Sequence, residues 1–499
     1  MSLPEILANA KLLRVKGKFS EALKLLEESW PQLVADQKLE IASYNERSLC
    51  LWRIGELEKA EIHAQKALQL AEERLHDLQG RGDAFRNLGI ISWFRGDLDR
   101  AEKFFQQSLT LREEVGNPAD IAASLHNLGL IHFGHGDLDQ AEEFFQRSLT
   151  LREEVGNPSD IAASLNNLGE LYRQRGELDR AEDCYRRSLA LAEQDGNPTN
   201  IAIYLNNLGE FYRQRGELNQ AESYYQQSLT IREKVGNPAD IAASLNNLGL
   251  IYWQRGNLRE AENCVQRSLS LKEKIGNAES IAETRHQLIR ILLAQNSVDR
   301  AITEENQLAR LAESSEKPEV HARHLLAQCL LSLEKLNFPQ ALASGSQARI
   351  LAGQIPHFEL EVDSLQLLVQ IHLKLQLISQ KAEHRAYVES LLQELKDLSE
   401  RERLHGVFCE TILIQGFLKR ADYDLPGAMA FFKQVEHVAE EHGLQLLAHR
   451  ASEELTHLQQ EIATYQQLQK LSPQAYKQLQ MQEMLTYMEE AKRYLQLQS

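Results

Sequence analysis

Asparagine recurs at one register of this sequence, at Asn87, Asn127, Asn167, Asn207 and Asn247, each 40 residues from the last. An amide side chain carries donor and acceptor together, which matches the N–H and C=O of an extended peptide. Asparagine is mildly unfavourable inside a helix, so five at one register need a reason. The preceding residues are Arg86, His126, Asn166, Asn206 and Asn246. One helical turn on come Ile90, Leu130, Glu170, Glu210 and Leu250. The next turn gives Trp93, Phe133, Arg173, Arg213 and Trp253, followed by Phe94, Gly134, Gln174, Gln214 and Gln254. This stripe is polar in its middle repeats and aromatic or aliphatic in the outer ones, so a ligand with a polar centre and apolar anchors would suit it. Glu170 and Arg173 stand at i,i+3 and can simply neutralise one another. Two other readings of the row stay open: each Asn bridges neighbouring helices, or copies its parent after duplication.

Other reactive side chains form no comparable pattern. The sixteen histidines are dispersed. His321 and His324 form an i,i+3 pair without a third ligand, and His132 and His135 flank the end of one helix, so no metal site is expected. Carboxylate pairs such as Glu153-Glu154 recur at the ends of several units, the mark of a solvated face; an acid/base pair needs two distinct environments at one place. Five widely spaced cysteines without a CxxC pair fit neither a disulfide framework nor zinc and point to a reducing compartment. No phosphate-loop, dinucleotide-binding, HExxH or GxSxG string occurs. The expectation is a chain that is not an enzyme and takes no cofactor.

The elements that carry the stripe follow from self-similarity. NPADIAASLHNLGLIHFGHGDLDQAEEFFQRSLTLREEVG (117–156) recurs as NPSDIAASLNNLGELYRQRGELDRAEDCYRRSLALAEQDG (157–196), then from Asn197 and Asn237, and once upstream. Each unit reads as two helices. Asn157 is a natural N-cap, Pro158 a first helical residue and Asp160 a first-turn acid. Ile161, Ala162, Leu165, Leu168 and Tyr172 make an apolar stripe, and Gly176 ends the helix. The second helix runs from Leu178 through Ala181, Tyr185, Leu189 and Leu191 to near Gly196. Gly169 and Ala181 are small where the two helices approach. One hairpin cannot bury its apolar faces alone, so neighbours must stack.

The spacing Leu125, Leu128-Gly129, His132, Gly136, Ala141, Phe145 resembles the tetratricopeptide repeat. Its 40-residue period and Asn-Asn-Leu-Gly string are similar to the longer-repeat branch of kinesin light chains and spindle-orientation adaptors. Leu replaces the usual early Trp, Ser148 stands where Ala is common, and the terminal Pro is displaced into the next Asn-Pro junction. The resemblance is strong over 81–280 and implies an all-α fold, a right-handed superhelical α-solenoid of stacked antiparallel helix pairs. It also implies that the asparagine stripe lines a concave groove holding a protein or peptide partner. With packed helices about 8–10 Å apart and an extended chain advancing about 3.3 Å per residue, five rungs serve about 12–15 residues. The Asn167→Ala, Asn207→Ala double variant is then expected to lose partner capture while staying helical.

Four segments are expected: degenerate hairpins over 1–80, the regular array over 81–280, degenerate hairpins over 281–450, and capping or oligomerisation helices over 451–499. Roughly ten or eleven hairpins follow, with second helices starting at Val298, Phe338 and Leu425 and another pair over 357–400. In the tail, Leu455, Leu458, Ile462, Tyr465 and Leu468 mark one long helix. A last helix carries Met481, Met484 and Met488, which suits a cap or a homo-oligomer contact. The chain is acidic overall, net −17, with no segment apolar enough to span a membrane and no secretory leader. Neither nucleic acid nor membrane is an expected partner, and a cytoplasmic location is expected. The leading reading is a non-catalytic scaffold or adaptor. The alternative is a ligand- or peptide-gated regulatory subunit of a larger protease, nucleotide-binding switch or motor assembly.

Overall fold

Helices are the only regular elements among the described residues of the computed structural model, which covers 2–471 apart from 16, 356, 357, 380 and 403. Packing divides the chain into two compact units at Gly196/Asn197, inside the regular array. The first unit holds α1 (Leu3–Val15), α2 (Phe19–Glu28), the one-turn α3 (Trp30–Leu33), α4 (Gln37–Arg53) and α5 (Leu57–Leu70). It continues with α6 (Leu78–Phe94), α7 (Leu98–Val115), α8 (Pro118–His135), α9 (Leu138–Val155), α10 (Pro158–Gln174) and α11 (Leu178–Asp195). The second unit opens with α12 (Pro198–Gln214), α13 (Leu218–Val235), α14 (Pro238–Gln254), α15 (Leu258–Ile275), α16 (Ala278–Ala294) and α17 (Val298–Glu313). Then come α18 (Pro318–Glu334), α19 (Phe338–Ala352), α20 (Phe358–Ser379), α21 (Ala382–Arg401), α22 (His405–Ala421), α23 (Leu425–Glu441) and α24 (Gln445–Leu471).

Eleven antiparallel pairs result, each hairpin packing against the next within its unit. This is the expected α-solenoid of stacked helix pairs. The helix starts are capped as the sequence predicts: Asn117, Asn157, Asn197 and Asn237 each accept a bond from the backbone N–H two residues on, at 3.0–3.1 Å. Within the regular array the chain leaves each second helix through a left-handed glycine, such as Gly156 at φ +78°. In the degenerate part, Asn296, Leu336 and Tyr423 take the positive φ of the turn within the hairpin, held by Gly136, Gly176 and Gly256 in the array, without being glycine. The helices still start at Val298, Phe338 and Leu425 because their apolar faces, not the turn glycine, hold them in place.

Close approach explains the small residues. Ala101, Ala141, Ala181, Ala221 and Ala261 are fully buried, and a Cβ on Gly129 would meet the Phe145 ring at 2.6 Å. Burying one such ring is worth about 2–3 kcal/mol. Ser148, the departure from the usual alanine, donates to Ala122 O at 2.8 Å and ties the two helices of its hairpin together. A second device links successive hairpins. Arg112, wholly buried, reaches Asp120 O and Ser124 Oγ at 3.0 Å each and Asp83 at 2.8 Å. Arg152 and Arg232 repeat the bonds to Asp160 O and Ser164, and to Asp240 O and Ser244. Ala192 holds that position in the hairpin ending at Gly196.

In the second unit α24 returns to the opening hairpin: a Cβ on Gly216 would lie 2.8 Å from Leu446 Cγ. Leu455 and Leu458 on the same helix are buried, as a long tail helix requires. The methionine-bearing last helix lies outside the described residues.

Candidate functional site: the face of the first helices

The asparagine stripe runs along the first helix of each hairpin. In the first unit its opening rung is internal. Asn87 is 1% exposed and donates to Asn45 O at 3.1 Å and Asn45 Oδ1 at 3.2 Å, while Asn45 donates to Gly80 O at 3.0 Å. Asn127, Asn166 and Asn167 are half-buried. Asn167 Nδ2 lies 3.3 Å from His126 Nε2. An amide nitrogen only donates, so that imidazole nitrogen accepts and the ring is neutral. Burial, followed by the charge of Arg152, pushes His126 down to about 3, and its Nδ1 has no partner. Trp93 is exposed and packs edge-on against exposed Phe94; Phe133 is half-buried and Gln174 exposed.

In the second unit, Asn247 Nδ2 donates to Asn206 Oδ1 at 3.0 Å. Asn207 is half-buried. Asn246 Oδ1 is buried and has no hydrogen-bond partner. Trp253 is half-buried, with the Arg290 guanidinium 5.9 Å from its ring centroid. Bridging between neighbouring first helices, one of the open sequence readings, therefore accounts for part of the row: Asn87, Asn167 and Asn247 each spend an amide hydrogen on the preceding hairpin.

The charged middle is likewise turned inward. Arg173 Nε donates to Glu170 at 3.0 Å, and the Tyr185 hydroxyl donates to the same carboxylate at 2.8 Å. Arg213 bonds Glu210 at 2.9 and 2.6 Å, joined by Gln214 Nε2 and the Tyr225 hydroxyl, both at 2.8 Å. Burial pushes Glu210 up, but Arg213 and the Tyr225 hydroxyl outweigh it and hold the carboxyl below its ordinary range. Burial, and then the Glu170 charge, raises Tyr185 well above a normal phenol. These triads are charge-balanced, and the second keeps Glu210 ionised.

Sequence reading of the stripe passed over the tyrosines. The signal was present as a correlation: Tyr185 and Tyr225 accompany Glu170 and Glu210, whereas Phe105, Phe145 and Val265 accompany Ile90, Leu130 and Leu250. A hydroxyl occurs only where the facing first helix supplies an acceptor.

His321 Nε2 lies 2.8 Å from Ser315 O and His324 Nε2 lies 2.9 Å from Glu305. No cluster of three or more His, Cys, Asp or Glu suited to a metal occurs among the described residues. No described helix is long and apolar enough to cross a membrane.

Comparison with protein families matches six overlapping stretches, 39–114, 79–154, 120–194, 159–234, 200–274 and 240–314, to the description "Tetratricopeptide repeat". No curated protein matches the chain. Similar solved structures include BtubC (BKLC) from P. vanneervenii, at 23% identity over 44% of this chain and 92% of that one, with TM-score 0.40. The STAND protein with a tetratricopeptide repeat sensor, PH0952 from Pyrococcus horikoshii, is 15% identical over 67% of this chain and 52% of its own, with TM-score 0.50. A putative kinesin light chain of Podosopora anserina with nearly identical TPR-like repeats is 15% identical over 39% and 95%, with TM-score 0.34. At these identities the likeness concerns the fold.

Proposed function

The chain belongs to the tetratricopeptide-repeat family, and from that premise we propose that it is a non-catalytic interaction scaffold whose first-helix faces each hold a segment of a protein partner. The observation that carries this reading is Asn246. Its Oδ1 is a buried acceptor with no donor among the described residues, and leaving such a group unmet costs about 1–3 kcal/mol. Rotation of the amide about χ2 brings that oxygen out to a peptide N–H, which supplies the missing bond. Trp253, two turns along the same helix face, offers an apolar ring for a neighbouring side chain. In the first unit, Asn127 offers an amide while Trp93 and Phe133 offer rings. The Glu170–Arg173 and Glu210–Arg213 pairs act as polar walls that shape the segment rather than attract charge, because each carboxylate is neutralised by its arginine and bonded by its tyrosine.

The test is crosslinking affinity capture from the native cell using the full chain and the Asn246→Ala, Trp253→Ala double variant. Asn246→Ala removes no described hydrogen bond and should leave the melting temperature unchanged, whereas Trp253→Ala gives up packing against the neighbouring core and lowers it; the double variant, checked as folded by circular dichroism, should lose its partners. Capture of the same proteins in the same yield by the folded variant overturns the reading for this face.

A further inference from the structure

On the opposite side of the hairpin over 157–196, a cavity of about 460 Å³ opens between α9, α10 and α11. Its floor is Leu165, Leu168 and Tyr172, its wall includes Cys184, and Arg180 and Arg187 stand at the rim. One position accounts for it. The residue 40 before or after Cys184 is Phe144 or Tyr224, and 80 before it is Phe104. Each of those rings lies on the first helix of its own hairpin. Phe104 stacks on Phe85 at 6.1 Å between centroids, Phe144 on His132 at 5.2 Å and 18°, and Tyr224 on Tyr212 at 5.4 Å and 6°. Leu165 holds the position of Phe85, and Tyr172 that of His132 and Tyr212. In this hairpin the thiol of Cys184 replaces the ring, the Arg180 guanidinium lies over Tyr172, and the space beside it over Leu165 and Leu168 stays open.

We propose that this cavity is a docking slot for an aromatic side chain, Phe or Tyr, carried by a protein partner and seated on Leu165 and Leu168 against the Arg180 guanidinium that covers Tyr172. The sibling hairpins show that this backbone accepts a ring at this level. The paired charges of the rim exclude an anionic guest. Arg180 is paired with Glu177 and Glu142, and Arg187 lies 3.5 Å from Asp183 and 3.8 Å from Glu153. A rim so balanced suits an uncharged group. The Arg180 guanidinium, 3.8 Å from the Tyr172 ring centroid, already covers an aromatic face and extends the same contact to a guest ring. Cys184 takes part as an apolar wall; burial lifts its thiol to about 11, so it is not a nucleophile at neutral pH. Cys264, next to Tyr252 in sequence register, makes the same replacement in the second unit.

The slot is separate from the first-helix faces, and its test does not depend on them. The full chain is titrated with N-acetyl-4-fluorophenylalaninamide and followed by fluorine NMR, with N-acetyl-leucinamide as competitor. Saturable binding is expected, weakened at least tenfold by Cys184→Phe, with the leucine amide competing at least tenfold less well than N-acetyl-phenylalaninamide. Absence of binding, equal binding to the variant, or equal competition by leucine overturns the proposal. The variant's melting temperature gives a second reading: a value at or above that of the unsubstituted chain supports a slot that fits a ring, and a lower value overturns it.

Discussion

Replacing Arg112 by methionine should unseat one joint of the array while leaving the helices on either side intact. The methionine keeps most of the apolar stem, so the loss is confined to the guanidinium. That group makes three bonds: to Asp120 O and Ser124 Oγ at 3.0 Å and to Asp83 at 2.8 Å. Hydrogen bonds from a charged donor are each worth about 1.5–3 kcal/mol. Two corrections reduce the sum. Ser124 keeps a second contact with Ser108 Oγ at 3.2 Å, and the Asp83 side chain is 30% exposed, so water takes over part of its solvation. A net loss of about 3 kcal/mol remains. Solenoid stability is roughly a sum of repeat and nearest-neighbour terms, so the loss falls on the α7–α8 joint. Urea unfolding followed by far-UV circular dichroism measures it, and hydrogen exchange locates it. Protection should fall first over 98–135, where the two helices lie. Arg147→Met is the control: its partners Glu113 and Glu143 are 3.8 Å away and all three side chains are about half exposed or more, so the change should stay within about 0.5 kcal/mol. A loss below about 1 kcal/mol for Arg112→Met, or one no larger than the control, refutes the account of the clamp.

Acid should loosen the first unit partly through His126. Its folded pKa, about 3, lies below the unfolded value of 6.5, so the unfolded chain takes up the proton first and stability falls as pH drops from 6.5 toward 3. His126→Gln keeps an acceptor for Asn167 and removes that titration; its pH–stability curve between 6.5 and 4 should be flatter by at least about 1 kcal/mol, and an unchanged slope contradicts the buried, neutral ring. In the second unit, Leu336 is exposed and held at φ +55°. Leu336→Gly should raise the urea midpoint, by up to about 1 kcal/mol in stability, because relief of left-handed strain exceeds the added freedom of the unfolded chain; a lower midpoint shows that the leucine side chain contributes packing there.

The helix pairs, their caps and their stacking were legible because they rest on local rules repeated many times. Asn157, Pro158 and Gly176 act within a few residues of themselves, and Gly129, Ala141 and Phe145 report a close approach that recurs at each period. The division at Gly196/Asn197 was not legible from the periodicity, which runs through it unbroken; only the packing of whole units reveals it. The candidate face was legible in part. Sequence fixed which residues share a helix stripe, since i, i+3/4, i+7 is geometry of one helix. It could not decide what those side chains already hold. Asn87 on Asn45, Asn247 on Asn206 and Asn167 on His126 are contacts across about 40 residues, and they exist only once neighbouring first helices lie side by side.

The same limit separates composition from chemistry at Glu170 and Cys184. A glutamate and an arginine at i,i+3 read as an ion pair from the sequence alone, but Tyr185, on the other helix of the hairpin, makes the third member. A cysteine in place of an aromatic reads as another packing residue until the ring it lacks is seen stacked in its siblings. The sequence by itself determined the repeat, the helices and which positions face one another, because periodicity and capping are properties of short segments. Tertiary structure decided which amides are spent, which charges are balanced and where space is left, because each of those depends on atoms that only stacking brings within about 3–5 Å.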